Sequence, residues 1–153
     1  FAPNGLDAEG IEKQINDHVN CARLAKKAGY DGVEIIGSAG YLISTFLVEK
    51  TNRRTDEYGG SYENRMRFAL EVVRRCRAEV GDDFIIIFRI AGMDMLEGGM
   101  SWDEVALLSS TSSFCSSSLF SSSPNLAASS SCSVSTGFSI VSAASRSLSP
   151  TSI

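Results

Sequence analysis

Two short apolar segments constrain the fold more than any other feature of the chain. Residues 32–36 read Gly-Val-Glu-Ile-Ile, and residues 84–89 read Phe-Ile-Ile-Ile-Phe-Arg. Both are rich in β-branched or aromatic residues and shorter than a typical helix, so each predicts a strand buried on both faces. Strands of that kind occur in parallel sheets whose faces are covered by helices.

Helical patterns flank the two predicted strands. Asp7 is a candidate N-cap for a first helix that ends before Gly29. The apolar residues of this helix recur at helical spacing: Ile11, Ile15, Val19, Ala22 and Ala25. Ser61 begins a second helix that Gly81 ends. Its core stripe is Met66, Ala69 or Leu70, Val73, Cys76 and Val80.

A third helix follows the second strand. Residues 101–104 read Ser-Trp-Asp-Glu, a capping box, and Val105 and Leu108 begin the apolar side of the helix. The resulting order, α, β, α, β, α, predicts parallel strands joined by right-handed crossovers. Local periodicity leaves two architectures open, a doubly wound sheet and a (β/α)8 barrel.

The connection between the first strand and the second helix, residues 37–60, is longer than usual, so we expect it to be functional. It carries Tyr41 just beyond the carboxyl end of the strand, where α/β enzymes bind substrates. A phenol with a pKa near 10 stays protonated at neutral pH and can donate its proton. Position alone favours the alternative, an aromatic packing residue.

The second strand ends in a charge. Arg89 follows five apolar residues, and burying its guanidinium without a partner would be costly. One interpretation is a structural ion pair with a carboxylate such as Glu34, whose role we expect to be ion pairing and not acid–base catalysis. The other, a cofactor contact, comes from a family resemblance.

The most specific sequence in the chain is the segment of residues 52–68, together with Gly40-Tyr41-Leu42 and Arg89. The segment reads Asn-Arg-Arg-Thr-Asp-Glu-Tyr-Gly-Gly-Ser-Tyr-Glu-Asn-Arg-Met-Arg-Phe. In these residues the chain resembles the Old Yellow Enzyme family of FMN-dependent reductases, over residues 1–108. We assign the segment of residues 52–68 to the scaffold and not to catalysis: Asn52 and the two glycines suit tight turns, and Arg54 and Asp56 can form a charge-assisted hydrogen bond.

The resemblance implies an α/β fold that is part of a (β/α)8 TIM barrel, with about two βα units. A complete barrel needs about 250 residues, so the chain can supply only part of one. The family binds FMN, uses NAD(P)H as reductant, and transfers hydride from flavin N5 to the activated C=C bond of an unsaturated carbonyl compound or acyl-CoA. By resemblance, Tyr41 is the general acid of this reduction. Arg89 would hold the N1/C2 carbonyl edge of FMN.

Departures from the family pattern refine the assignment. Many family members carry a His and an Asn at the positions of Ile36 and Ala39, where they grip a substrate carbonyl. Their absence, with the sequence Ile36-Gly37-Ser38, indicates the 2,4-dienoyl-CoA reductase branch. In that branch the histidine that assists the tyrosine comes from a later strand, and an iron–sulfur cluster and an FAD-binding domain are added. We find no ligands for them here, and no glycine-rich phosphate loops, so we expect these features only in a full-length homologue.

Residues 109–153 differ in composition from the rest. Nearly half of them are serine, and their only charged residue is Arg146. Such a segment buries too little apolar surface to offset its ordering entropy, so we expect a disordered tail or an out-of-frame continuation. Phe1 is not a start methionine, and we expect the chain to begin within a longer protein.

These features leave three alternative functions open. The chain could be a truncated or frameshifted product without activity, or a serine-rich interaction protein with a vestigial barrel piece. A trimethylamine-dehydrogenase-like oxidation on the same barrel is a third alternative. Even as an ene-reductase segment, we expect the chain alone to be inactive. Translating the other reading frames of the encoding DNA would test the tail.

Composition argues against several other classes. The net charge is −4, and no stripe of basic residues is interleaved with aromatic residues. We therefore expect no nucleic-acid partner. No apolar run reaches the roughly 20 residues of a membrane span. We predict no metal site, and we expect His18 to lie on the surface, away from the active site. Cys21 and Cys76 occupy apolar helix positions and are predicted to be buried thiols, which favours the cytoplasm or another reducing compartment.

Overall fold

The computed structural model describes residues 5–115, with side chains described through residue 113. Four helices and two strands follow one another in the order α1 Ala8–Lys27, β1 Gly32–Gly37, α2 Leu42–Leu47, α3 Tyr62–Val80, β2 Ile85–Ile90 and α4 Trp102–Cys115. The predicted α, β, α, β, α order is confirmed. Its one addition is α2, a short helix inside the long connection that follows β1.

The two strands form a parallel sheet. Gly32 pairs with Ile85 at one end of the register, and Gly37 pairs with Ile90 at the other. Since α3 lies between the strands in sequence, β1, α3 and β2 form one βαβ unit. The carboxyl ends of both strands therefore lie at the same edge of the sheet.

The two faces of the sheet differ in burial. Ile35 is buried and Phe88 is partly buried on the face that packs against the helical core. The opposite face is open: Ile85 is 50% exposed, Ile87 42% and Ile36 37%. The prediction that both strands are buried on both faces is therefore wrong. Helices cover one face only, and within residues 5–115 no element covers the other.

The core lies between α1 and α3 and extends to α2. Its fully buried side chains include Ile11, Ile15, Phe68, Val72, Val73 and Cys76. Phe46 of α2 stacks on Phe68 with the ring centroids 4.4 Å apart. The predicted apolar stripes are confirmed, and Ala69 is the fully buried member of the pair Ala69 and Leu70.

The helices begin and end where the sequence predicts. Ser61 Oγ accepts a hydrogen bond from the Asn64 backbone N–H at 3.4 Å, and α3 ends at Gly81 with φ of +75°. The capping box is reciprocal: Ser101 N–H donates to Glu104 Oε2 at 2.8 Å, and Glu104 N–H donates to Ser101 Oγ at 3.2 Å. The predicted N-cap of α1, Asp7, is also present.

Two expectations about single elements are corrected. Cys21 is exposed, because its side of α1 turns away from the core, whereas Cys76 is buried and burial raises its thiol pKa to about 11. Helix α4 runs past Leu108 to Cys115, with Ser112 buried. Residues 109–115 are thus helical and not disordered, because Leu108 and Ser112 continue one buried face. The remainder of the predicted tail lies outside the described residues.

We predict that the isolated chain does not unfold cooperatively and binds FMN weakly. One sheet face leaves Ile36, Ile85 and Ile87 in water, and a two-stranded sheet is marginal without further strands. Thermal melting by circular dichroism should give a broad transition, and an FMN titration should not saturate at one equivalent. A sharp transition with stoichiometric FMN would contradict this prediction.

Candidate active site

The two residues predicted to carry the chemistry lie at the same edge of the sheet. Tyr41 follows the end of β1 by four positions and is the N-cap of α2. Arg89 is the penultimate residue of β2 and pairs in register with Ile36. Because β1 and β2 are parallel, both segments lie at their carboxyl ends. The structure thus brings the two predicted segments together, although no hydrogen bond joins the two side chains.

Tyr41 is presented to solvent by a tight turn. Ala39 has φ of +59° and Gly40 has φ of +76°, so the chain turns sharply between β1 and α2. The Tyr41 side chain is 63% exposed and makes no capping hydrogen bond, while its carbonyl accepts from Ser44 Oγ at 2.8 Å. Such exposure is not expected of a packing residue. The phenol is accessible to a ligand, and its role as an acid stays a prediction.

Arg89 forms a bidentate ion pair with Glu34. Arg89 Nε donates to Glu34 Oε1 at 3.1 Å, and Nη2 donates to Oε2 at 2.7 Å. The predicted pairing with Glu34 is confirmed. More than half of the Arg89 side chain is exposed, so the pair contributes only about 0–1 kcal/mol to stability. Its main effect is to fix the plane of the guanidinium.

The surroundings of Arg89 suit the ring system of FMN. The ion pair uses Nε and Nη2, and Nη1 has no partner within residues 5–113. Ile36 and Ile87 lie on the same open face of the sheet as the guanidinium and expose apolar surface. A planar, largely apolar ring with a carbonyl edge would meet both features there. The cofactor-binding role of Arg89 remains a prediction.

Residues 52–61, the loop at the start of the segment that carries the family resemblance, are named the diagnostic loop. Hydrogen bonds within the loop hold its conformation. Arg54 Nε and Nη2 donate to the Asp56 carboxylate at 3.0 and 2.5 Å, as predicted, and these bonds lower the pKa of Asp56. Arg54 Nη1 also donates to the Leu6 carbonyl at 2.6 Å, which ties the loop to the start of α1. A Cβ at Gly59 would lie 2.2 Å from the Arg54 carbonyl oxygen, so this close approach requires glycine.

A buried arginine that sequence reasoning missed connects this loop to the helices. Arg65 is 5% exposed; its Nη1 donates to the Leu47 carbonyl and its Nη2 to Glu104 Oε1, each at 2.5 Å. Its Nε donates to the Gly60 carbonyl at 3.3 Å, and the Tyr62 ring lies 5.0 Å from the guanidinium. The sequence did contain a signal for this burial: Arg65 directly precedes Met66, which belongs to the apolar stripe of α3.

A cleft of about 340 Å³ lies along the edge of β1, between α1 and the start of α2. Its lining includes Tyr41 and His18. The expectation that His18 is a surface residue far from the motif is wrong. His18 is half-buried: its ring packs edge-on against Phe68, with the ring centroids 6.5 Å apart, and Nδ1 lies 2.7 Å from the Gln14 carbonyl, to which it donates.

Neither a membrane span nor a metal centre emerges from the described part of the chain. No helix between residues 5 and 115 has the length and apolar character needed to cross a bilayer. In the same range, no group of three or more His, Cys, Asp or Glu side chains is arranged to hold a metal ion.

Comparison with known proteins identifies the family. The model of the NADH:flavin oxidoreductase / NADH oxidase family matches residues 1–115. The chain belongs to this family. Its members use FMN and a nicotinamide reductant. The described residues form an α/β fragment that resembles part of a TIM-barrel oxidoreductase, which agrees with the barrel alternative of the sequence analysis.

Several relatives illustrate the match. The chain is 46% identical over 102 residues to an NADH oxidase of Thermoanaerobacter brockii, covering 67% of this chain and 16% of that protein. It is 48% identical over 97 residues to 12-oxophytodienoate reductase 2 of Arabidopsis thaliana, covering 63% and 26%. A 2-naphthoyl-CoA reductase in complex with 2-naphthoyl-CoA superposes with a TM-score of 0.71 at 40% identity, covering 73% and 17%. The chain spans less than a third of the length of each.

We predict that Glu104→Gln destabilises a full-length version of the protein, because it removes the carboxylate that neutralises the buried Arg65 guanidinium. An unsatisfied buried partner typically costs about 1–3 kcal/mol, and more when it is charged. The melting temperature should fall by several degrees. Glu97→Gln, an exposed carboxylate of the preceding loop, is the matched control. Equal melting temperatures for both variants would show that the ion pair contributes nothing.

Proposed function

We propose that this chain is the part of an FMN-dependent NAD(P)H ene-reductase that carries its proton donor and its flavin-binding cation. One observation carries the proposal: Tyr41 follows β1 and Arg89 lies at the end of β2, at the same edge of a parallel sheet. Ligands of α/β barrels bind at this edge. The likeness to a protein named 12-oxophytodienoate reductase supports alkene reduction.

The chemistry divides between the cofactor and two residues of this chain. FMN, when bound, supplies a hydride from N5 to one carbon of an activated C=C bond. Tyr41 donates its phenolic proton to the neighbouring carbon, so that hydride and proton together saturate the bond. The phenol is suited to this step because its hydroxyl is a hydrogen-bond donor and the side chain is exposed.

Arg89 holds the pyrimidine edge of the flavin ring in this proposal. With FMN bound, its guanidinium would donate to the N1/C2 carbonyl edge and would favour negative charge there. Glu34 supports the role in one way and weakens it in another. The two hydrogen bonds to Glu34 orient the guanidinium, whereas the carboxylate partly neutralises its charge.

We propose an unsaturated carbonyl compound as the substrate, and within that class an acyl-CoA thioester. Ile36 and Ala39 replace the His and Asn pair that grips a carbonyl in other members, as in the 2,4-dienoyl-CoA reductase branch. The likeness to a 2-naphthoyl-CoA reductase agrees with a thioester. An iron–sulfur cluster and FAD would belong to other parts of a full-length homologue.

We also propose a reducing compartment, such as the cytoplasm, for the protein. Cys76 is a free thiol buried in the α1–α3 core, and Cys21 is a free thiol on the surface of α1. Unpaired thiols of this kind are usual where glutathione and thioredoxin keep cysteines reduced.

In a full-length version, Tyr41→Phe should slow alkene reduction and spare flavin reduction by NAD(P)H. The proton is needed only in the alkene step, where general acid catalysis is typically worth about 10²–10⁴-fold. Stopped-flow absorbance near 450 nm measures the two half-reactions separately, since oxidised flavin absorbs there. Tyr30→Phe, at an equally exposed tyrosine after α1, is the control. Equal losses in both half-reactions, or no loss in the alkene step, would exclude Tyr41 as the proton donor.

Arg89→Met should lower the FMN reduction potential and weaken FMN binding, because the variant keeps side-chain length but loses the positive charge. A change of about 1.4 kcal/mol corresponds to roughly 30 mV for two electrons, which dye-coupled titration resolves. Arg89→Lys should restore part of the potential but not the bidentate geometry.

Two further variants sharpen the Arg89 test. Glu34→Gln removes the neutralising carboxylate and should move the potential in the opposite direction. Arg53→Met, at an exposed arginine of the diagnostic loop, should leave the potential unchanged. A potential that Arg89→Met does not alter, with the fold intact, would restrict Arg89 to its ion pair with Glu34.

A further inference from the structure

The short helix that begins at Tyr41 depends on other parts of the chain. Helix α2, Leu42–Leu47, has only six residues, and a helix of that length is not stable by itself in water. Its last four carbonyls have no partners within the helix unless other groups supply them. Residues 48–52 supply partners for three of them, and Arg65 of α3 supplies the fourth. The helix that begins at Tyr41 is therefore held by contacts at its opposite end.

Asn52 supplies the central contact at that end. It is buried, and its Nδ2 donates to the Phe46 carbonyl at 2.6 Å and to the Tyr58 carbonyl at 2.7 Å. Its Oδ1 accepts from the Arg54 backbone N–H at 3.1 Å. Both amide hydrogens of the carboxamide are thus used to join α2 to the diagnostic loop, and its oxygen accepts a bond within that loop. The sequence suggested a role for Asn52 in a tight turn. In the structure its side chain also caps the carboxyl end of α2.

The other carbonyls of the last turn have different partners. The Ser44 carbonyl accepts from the Val48 backbone N–H at 3.1 Å, and the Thr45 carbonyl accepts from Thr51 Oγ1 at 3.0 Å. The Leu47 carbonyl accepts from Arg65, which also serves α4. Thr51 Oγ1 otherwise bonds only the Val48 carbonyl, so of the three side chains that cap α2, Asn52 is the one that joins α2 to the diagnostic loop without also binding α4.

We infer that Asn52 is a positioning residue for Tyr41, acting through the capped end of α2. This inference rests on the proposed function, in which Tyr41 donates the proton. The first turn of α2 connects the two residues: the Tyr41 carbonyl accepts from the Thr45 backbone N–H at 3.1 Å, and Phe46 follows directly. If the Phe46 carbonyl loses its partner, α2 must shift or fray to reach water. The phenol at its other end then leaves its place relative to the substrate.

The test uses Asn52→Asp in a full-length, FMN-loaded version of the enzyme. An aspartate has the same shape, but its carboxylate cannot donate to the two carbonyls that Asn52 binds. Asn52→Ala is the second variant and removes the bonds without adding charge. Asn64→Asp is the matched control, because Asn64 Nδ2 donates at 3.1 Å to the Gly59 carbonyl of the same loop but not to α2.

Two readouts are measured on these variants. Asn52→Asp and Asn52→Ala should slow the alkene half-reaction by roughly 10- to 100-fold, as small misplacements of a catalytic group do, and leave flavin reduction unchanged. Added to Tyr41→Phe, either substitution should cause no further loss, since both act on the same proton transfer. Hydrogen–deuterium exchange of α2 should accelerate in both variants and stay unchanged in Asn64→Asp.

The possible failures are distinguishable. If Asn52 variants slow both half-reactions equally, lose FMN, or add their full effect to that of Tyr41→Phe, then Asn52 only stabilises the fold and the inference is wrong. An unchanged alkene step in folded Asn52 variants would also overturn it. If Tyr41→Phe itself leaves the alkene step intact, the proposed function fails first, and the inference falls with it.

Discussion

The buried guanidinium of Arg65 joins segments that are distant in sequence, and the arrangement around the candidate site depends on it. It binds the carboxyl end of α2, the Gly-Gly turn and the start of α4 from one position on α3. Removing a charge from water costs several kcal/mol, and close, well-formed hydrogen bonds are needed to compensate. Here all three nitrogens have partners. The loops that follow β1 and β2 are therefore fixed relative to one helix and, through it, to each other.

The contacts of Arg65 fix the loops but leave one face of the sheet uncovered. Helices α1 and α3 bury one face of β1 and β2, and the opposite face keeps Ile85 and Ile87 in contact with water. Apolar residues on both faces are the mark of a strand enclosed on both sides, as in a barrel with an outer ring of helices. The sequence pattern and the family membership agree on that environment. The open face, on which Arg89 and Glu34 lie, is the face that would be turned inward in a TIM-barrel oxidoreductase, which this fragment resembles in part.

Features of the fold that depend on neighbouring residues were predicted from the sequence. Features that depend on contacts with other elements were not. The caps at Ser61 and Ser101, the end of α3 at Gly81 and both strands follow from neighbouring residues, so the sequence was sufficient for them. Helix α2 was not predicted because six residues hold no periodicity to detect, and because its capping side chains, Asn52 and Arg65, lie outside the helix, Arg65 on another helix. The burial of His18 was missed for the same reason, since its partner Phe68 lies on another helix.

The sequence predicted two residues of the candidate site, Tyr41 and Arg89. The structure adds the residues that hold them in place. Tyr41 and Arg89 were found from their positions at the carboxyl ends of the two strands together with the family resemblance, whereas the groups that hold them had no such signal. The two interpretations of Arg89 that the sequence left open are compatible in this geometry. Glu34 occupies Nε and Nη2, and a guanidinium has a further edge at Nη1 that can donate to a carbonyl. An ion pair of this kind leaves a cation oriented and still able to bind, because the partner uses only one side of the fork.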